Sequence, residues 1–233
     1  MSSGGYALWL VPVEHESTEL QAIMRFRPAR RRHSDRPTRS YPKFHPHVTL
    51  ATFDDLPANF HLNEIVPQSS DITAQYTHLE RGETYLGAMK LMMTAPAALT
   101  QFRADILRQL QRMGMENKTR RFPHLSLFYV EEADERQRLH RGLQSRKFFT
   151  DDFTGNLTVK ANPKASGPGI QQFTCGEVWL VNCMPRSVEQ WSVIERHALS
   201  ADPPQASQQS TSATKVQRAQ RNQSHASCGC VIM

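Results

Sequence analysis

From Tyr6 to Val13 hydrophobic side chains recur at strand spacing, and the run stops at Glu14. Leu20, Ile23 and Met24 then fall at helical spacing within Glu16–Phe26. Pro28, Pro37 and Pro42 break the next stretch into a loop, and His45–Thr52 alternates as a strand. Asp54–Pro67 is mixed and suits a short helix. Ile72–Glu80 and Tyr85–Met93 are rich in strand formers, and Arg81-Gly82-Glu83 between them reads as a hairpin turn. Pro96 opens the clearest helix, with Leu99, Phe102, Ile106, Leu110 and Met113 on one stripe and Gly114 at its end. His124–Val130 is predicted as a strand and Asp134–Ser145 as a charged helix. Two more strands follow, Gly155–Lys160 and Phe173–Met184, joined by a loop holding Pro163, Gly167, Pro168 and Gly169. Ser187–Leu199 is predicted as a final helix.

Hairpins mixed with helices indicate an α+β fold with a largely antiparallel sheet. Two similar strands, one in each half, suggest a duplicated, two-lobed arrangement around a central cleft. From residue 201 Pro, Gln, Ser, Ala and Thr dominate and large apolar residues nearly vanish. The expected organisation is a folded domain over residues 1–200 and a disordered tail over 201–233.

The 233 residues are 39% hydrophobic, enough for one mid-sized core or two small lobes packed together. No apolar run approaches the 18 residues that a membrane helix needs. Residues 1–5 lack a basic region, so the N-terminus does not read as a signal peptide, and a cytosolic protein is expected. Cys175 and Cys183 fall in one strand segment, roughly 26 Å apart if it is continuous, beyond disulfide reach. The net charge of +6 is local. Residues 25–39 hold seven arginines (25, 27, 30, 31, 32, 36 and 39) against Asp35, and the rest of the chain balances. A protein that coats long nucleic acid spreads its positive charge over a face. A small anionic substrate or an anionic surface suits this pattern better, as does a merely solvated loop.

One pentapeptide occurs twice. Pro46-His47-Val48-Thr49-Leu50 returns as Pro123-His124-Leu125-Ser126-Leu127. Period two puts an imidazole and a hydroxyl on one face of each strand. A lone strand histidine is usually a core or surface residue, but here the Pro, the His, the hydroxyl and the Leu recur together. Two such strands offer two titratable nitrogens and two hydroxyls around one space. Opening a five-membered cyclic phosphate needs that set. Attacking water must lose a proton, the departing ribose oxygen must gain one, and the phosphate oxygens must be held. Two imidazoles with a free pKa of about 6.5 supply base and acid, and Thr49 and Ser126 supply donors. The scheme requires no metal and no cofactor. A metal reading starts from His45 and His47 with Asp54 or Asp55, but nothing in the sequence fixes those acids nearby. A Ser-His-Asp hydrolase lacks its Gly-x-Ser-x-Gly elbow.

At these residues the chain resembles the 2H phosphoesterase superfamily, named for two His-x-Ser/Thr motifs, over about residues 5–199. Phe122-Pro123-His124-Leu125-Ser126-Leu127-Phe128-Tyr129 is similar to the second motif of the cyclic nucleotide phosphodiesterase branch. The opening strand and the length resemble its fungal members. The resemblance implies a two-lobed, pseudo-symmetric fold of the LigT-like kind, lined by antiparallel sheets. It implies hydrolysis of 2′,3′-cyclic nucleotides to 2′-phosphates, and of ADP-ribose 1″,2″-cyclic phosphate, a by-product of tRNA splicing, to the 1″-phosphate. His47 is then the proton donor, His124 the proton acceptor, and Thr49 and Ser126 hold the phosphate. Tyr129 falls where that branch places an aromatic near substrate; a buried core tyrosine is the other reading. RNA-end processing, as in 2′,5′ RNA ligase-like enzymes or U6-type exonucleases, is the sibling alternative. A silent lipid-anchored adaptor is the alternative from another class.

The chain ends Cys230-Val231-Ile232-Met233, the pattern for farnesylation of Cys230. One lipid binds a membrane only marginally. Cys228 is a candidate for palmitate, and Lys215, Arg218 and Arg221 add a weak electrostatic term. The expected partners are a small cyclic-phosphate nucleotide and the cytosolic face of an endomembrane, such as the Golgi with which the fungal branch is associated. A monomer is expected, with no long nucleic acid bound; without the lipid the protein stays cytoplasmic.

Overall fold

The computed structural model describes residues 5–29, 39–68, 72–119, 121–151 and 155–199. Most of the arginine run (30–32 and 36) and the tail with Cys228 and Cys230 lie outside the described residues. The elements are, in order, β1 (Tyr6–Pro12), α1 (Glu14–Met24), β2 (His47–Phe53), α2 (Leu62–Ile65), β3 (Thr73–Arg81), β4 (Met89–Met93) and α3 (Ala97–Arg112). There follow β5 (His124–Phe128), α4 (Ala133–Ser145), β6 (Phe149–Asp151), β7 (Leu157–Val159), β8 (Gln172–Asn182), a single 3₁₀ turn at Val188–Gln190, and β9 (Ser192–Ala198). No described helix is long and apolar enough to cross a membrane.

β1 shows how the sequence builds two faces. Leu8 and Leu10 enter the main core, where α1, α3 and α4 also bury their apolar stripes. Ala7, Trp9 and Val11 point the other way and join Trp179, Val181 and Cys183 in a second, smaller cluster. Both sides of β1 are thus buried, which explains a run with little polarity. In α3 the stripe of Leu99, Phe102, Ile106 and Leu110 is buried, each side chain contributing roughly 1.5–3 kcal/mol relative to exposure. The helix stops where Gly114 takes φ +75°.

The pairings close on themselves. β1 pairs with β2, β2 with β5, β5 with β4, β4 with β3, β3 with the start of β8, and the rest of β8 with β1, all antiparallel. β9 adds to the other edge of β8, and β6 and β7 form a separate hairpin. Two half-sheets, β9-β8-β1-β2 and β5-β4-β3, meet at β2–β5 through the two motif strands.

Two expectations need correction. The predicted last helix over Ser187–Leu199 is the 3₁₀ turn followed by β9. The β-branched pair Val193-Ile194 and an open β8 edge outweigh the weak helical spacing. The predicted tight turn at Arg81-Gly82-Glu83 is a longer connection, residues 82–88, with the Gly82 N–H on the Ala88 carbonyl (3.1 Å). β6 was not expected.

Candidate active site

β2 and β5 bring the repeated motifs side by side. His47 is the direct register partner of Ser126, and Val48 of Leu125. The same antiparallel register carries Thr49 toward His124. Val48 and Leu125 enter the main core, so the imidazoles and hydroxyls share the opposite face. His47, Thr49, His124, Ser126 and Tyr129 all line one cleft of about 390 Å³.

The repeat extends further than the sequence suggests. In β2, Thr49 pairs with Trp9 and Ala51 with Leu8, so Leu50 is an extra residue. In β5, Ser126 pairs with Lys90 and Phe128 with Met89, so Leu127 is an extra residue. Each motif therefore ends in a β-bulge at its closing leucine. A bulge resets the alternation of faces. The third cleft residue of each segment then falls five positions after the histidine, at Thr52 in β2 and at Tyr129 just past the end of β5. Period two alone places neither of them there.

Thr52 is held by the loop before β5. Its N–H donates to Asn117 Oδ1 (3.2 Å), its carbonyl accepts from the Lys118 N–H (2.8 Å), and its hydroxyl meets that of Thr119 (3.2 Å). Arg103 of α3 donates to the Leu50 carbonyl (2.9 Å) and to the Thr119 carbonyl (3.3 Å), tying the bulge to this loop. Lys118, Thr119 and Arg121 of the loop also line the cleft.

The two histidines have unlike surroundings. His47 is 2% exposed, and Trp9 stacks on its ring at 3.6 Å between centroids, inclined by 9°. A carbonyl can only accept, so His47 Nδ1–H donates to the His45 carbonyl (2.7 Å) and leaves Nε2 for chemistry. Burial pushes the His47 pKa down to about 3, and the carbonyl opposes that shift. His124 is less buried. Burial, followed by the charges of Lys90 and Arg121, lowers its pKa to about 4, while Glu80 opposes.

Tyr129 is 3% exposed yet lines the cleft, so it belongs to the wall and to the core at once. Its ring stacks on Phe44 at 4.2 Å and leans on Tyr85 and Trp191. Burial raises its phenol well above the usual value, partly offset by the Ser126 side chain. With Trp9 and Trp191 it gives the cleft an aromatic wall.

Of the residues of the metal reading, His47 lines the cleft, while His45 and Asp54 have other partners. His45 meets Ser17 Oγ (3.3 Å) and Gln21 Nε2 (3.1 Å) of α1, and Asp54 pairs with Lys118. Among the described arginines of the basic segment, Arg27 donates to the Met24 and Phe26 carbonyls and lies over Tyr41. Arg39 pairs with Glu131 (2.7 Å). Neither lines the cleft; the basic residues that do are Lys118 and Arg121.

The family model for cyclic phosphodiesterase-like proteins matches residues 3–199. The chain belongs to that family. Its fold is LigT-like. The structure of E. coli LigT complexed with 3′-AMP is similar over 85% of this chain and 99% of that one, at 16% identity and a TM-score of 0.50. A structure described as a phosphoesterase covers the same shares at 15% identity and a TM-score of 0.46. No curated protein matches the sequence.

Proposed function

We propose that this cyclic phosphodiesterase-like protein hydrolyses ribose cyclic phosphates without a metal. It opens 2′,3′-cyclic nucleotides to 2′-phosphates and ADP-ribose 1″,2″-cyclic phosphate to the 1″-phosphate, downstream of tRNA splicing, as in the fungal branch. The observation that carries the reading is the crossed arrangement of His47, Thr49, His124 and Ser126 on one cleft.

The phosphate sits between the two strands, its non-bridging oxygens accepting from the Thr49 and Ser126 hydroxyls. His124 takes a proton from water as the water oxygen bonds to phosphorus. The P–O3′ bond breaks, and His47 Nε2 gives its proton to the departing O3′. The His45 carbonyl supports the imidazolium that this step needs, and the anionic substrate raises the pKa of the histidine that donates. The cleft volume and the aromatic wall of Trp9, Tyr129 and Trp191 support a nucleotide-sized substrate. Lys118 and Arg121 line the same cleft and are our candidates to meet a second phosphate. The tail is proposed to be farnesylated at Cys230, with Cys228 as a second lipid site, and to hold the catalytic body on a cytosolic endomembrane face such as the Golgi.

The test is incubation of the purified protein with 2′,3′-cyclic AMP in EDTA. Formation of 2′-AMP alone supports the reading. No turnover, or turnover abolished by EDTA and restored by zinc, overturns it. Preference for an RNA end over the mononucleotide supports the RNA-processing alternative instead.

A further inference from the structure

The pseudo-symmetry of the two motif strands breaks at their outer neighbours. Beyond Thr49, on β1, stands Trp9; beyond Ser126, on β4, stands Lys90. The two positions are equivalent, since each is the register partner of a motif hydroxyl just before the bulge. One carries an indole stacked on its histidine, and the other carries an ammonium.

Lys90 belongs to a row that crosses four strands. Glu80 of β3, Lys90 of β4, Ser126 of β5 and His47 of β2 are successive register partners. Directly opposed residues share a face, so this row lies on the cleft side of the sheet. Lys90 is 4% exposed. Its Nζ donates to Glu80 Oε1 at 2.6 Å, and Glu80, about a third exposed, lies 3.9 Å from Arg121 as well. A buried cation is costly unless it is paired, and Glu80 supplies that partner.

We propose that Lys90 is the positioning residue that makes the two half-sites unequal: from the far side of Ser126 it turns a buried positive charge toward His124 and holds that imidazole unprotonated, ready to act as the proton acceptor. The charged and titratable groups that face His124 are Lys90 from β4, Glu80 from β3, Arg121 from the preceding loop and His47 from β2. Two of the four, Lys90 and Arg121, are basic side chains, and Glu80 is already engaged by both. The balance disfavours a proton on His124, in line with its lowered pKa. At His47 the lowering comes first from burial, with His124 and His45 adding to it, and no lysine or arginine is among its causes; the stacked Trp9 face and the His45 carbonyl are placed to support a cation there. The same charge also raises the positive potential beside the Ser126 hydroxyl, where an anionic phosphate oxygen binds.

This inference rests on the hydrolytic reading above, and its test separates the two. Histidine ring titrations followed by NMR in the full chain need no substrate. In Lys90→Met the His124 midpoint rises by roughly one pH unit, because a facing like charge has gone; in Lys90→Arg it stays. Glu80→Gln moves the midpoint the opposite way and serves alone if Lys90→Met does not fold. The acid limb of kcat/KM for 2′,3′-cyclic AMP moves with the NMR midpoint. A His124 midpoint unmoved in folded Lys90→Met, or raised equally in Lys90→Arg, overturns the inference. So does an upward shift in Glu80→Gln. Absence of turnover by the unmodified protein overturns the hydrolytic reading and leaves the NMR result standing.

Discussion

Leu50 and Leu127 hold equivalent places: each is the extra residue of a bulge three positions after a histidine. Their side chains fill the main core, while the bulges swing Thr52 and Tyr129 onto the cleft. The closing leucine of the repeated pentapeptide is therefore a backbone feature as well as a hydrophobic one. It marks where the sheet stops alternating.

The crossed pairs predict matched losses. His47→Ala and His124→Ala each lower kcat for 2′,3′-cyclic AMP by at least about 10²-fold. Ser126→Ala and Thr49→Val lower it by roughly 10²-fold. Steady-state kinetics on folded variants checks this, and near-normal kcat in either histidine variant removes that histidine from the chemistry.

Acid weakens the fold through the same two histidines. Folded His47 and His124 titrate near 3 and 4, and an unfolded histidine near 6.5. Between those values the unfolded chain binds protons that the folded chain refuses, so stability falls as pH drops below about 6.5. The pair contributes on the order of 3 kcal/mol per pH unit at most in that window. Urea midpoints at about pH 7 and pH 5 measure it. The His47→Gln/His124→Gln double variant is expected to flatten the dependence, and an unchanged slope refutes the assignment.

Arg103 is expected to matter without touching substrate. Arg103→Met strips a donor from the Leu50 carbonyl and another from the Thr119 carbonyl. The loss is about 1–3 kcal/mol of stability, read by denaturant unfolding, together with a raised KM because the Thr52–Thr119 wall loosens. Unfolding and KM identical to the unmodified protein contradict this account of the bulge.

For the tail, Cys230→Ser is expected to move the protein from membranes to the soluble fraction in cells, as fractionation measures. An unchanged distribution removes the lipid proposal.

Much of the site was legible because its signals are local. Period two in His47-Val48-Thr49 and His124-Leu125-Ser126 needs no partner strand to be read, and the stripe of α3 and its Gly114 stop need none either. What escaped depends on pairing. Thr52 follows from a bulge that only register reveals. Trp9 and Lys90 look like ordinary strand residues until β1 and β4 are placed beside the motif strands. β9 was read as a helix because its apolar pattern is weak at both periods, and only the open β8 edge decides.

The ring of strand pairings bears on how the chain comes to be folded. β1 is made first, yet one whole edge of it waits for β8, whose residues follow some 165 positions later. Until Gln172–Asn182 has been made, the apolar β1 presents unpaired main-chain groups to any other extended chain. Contacts this distant in sequence form slowly. Synthesis halted after β7 is therefore expected to yield an aggregating fragment rather than a smaller folded unit.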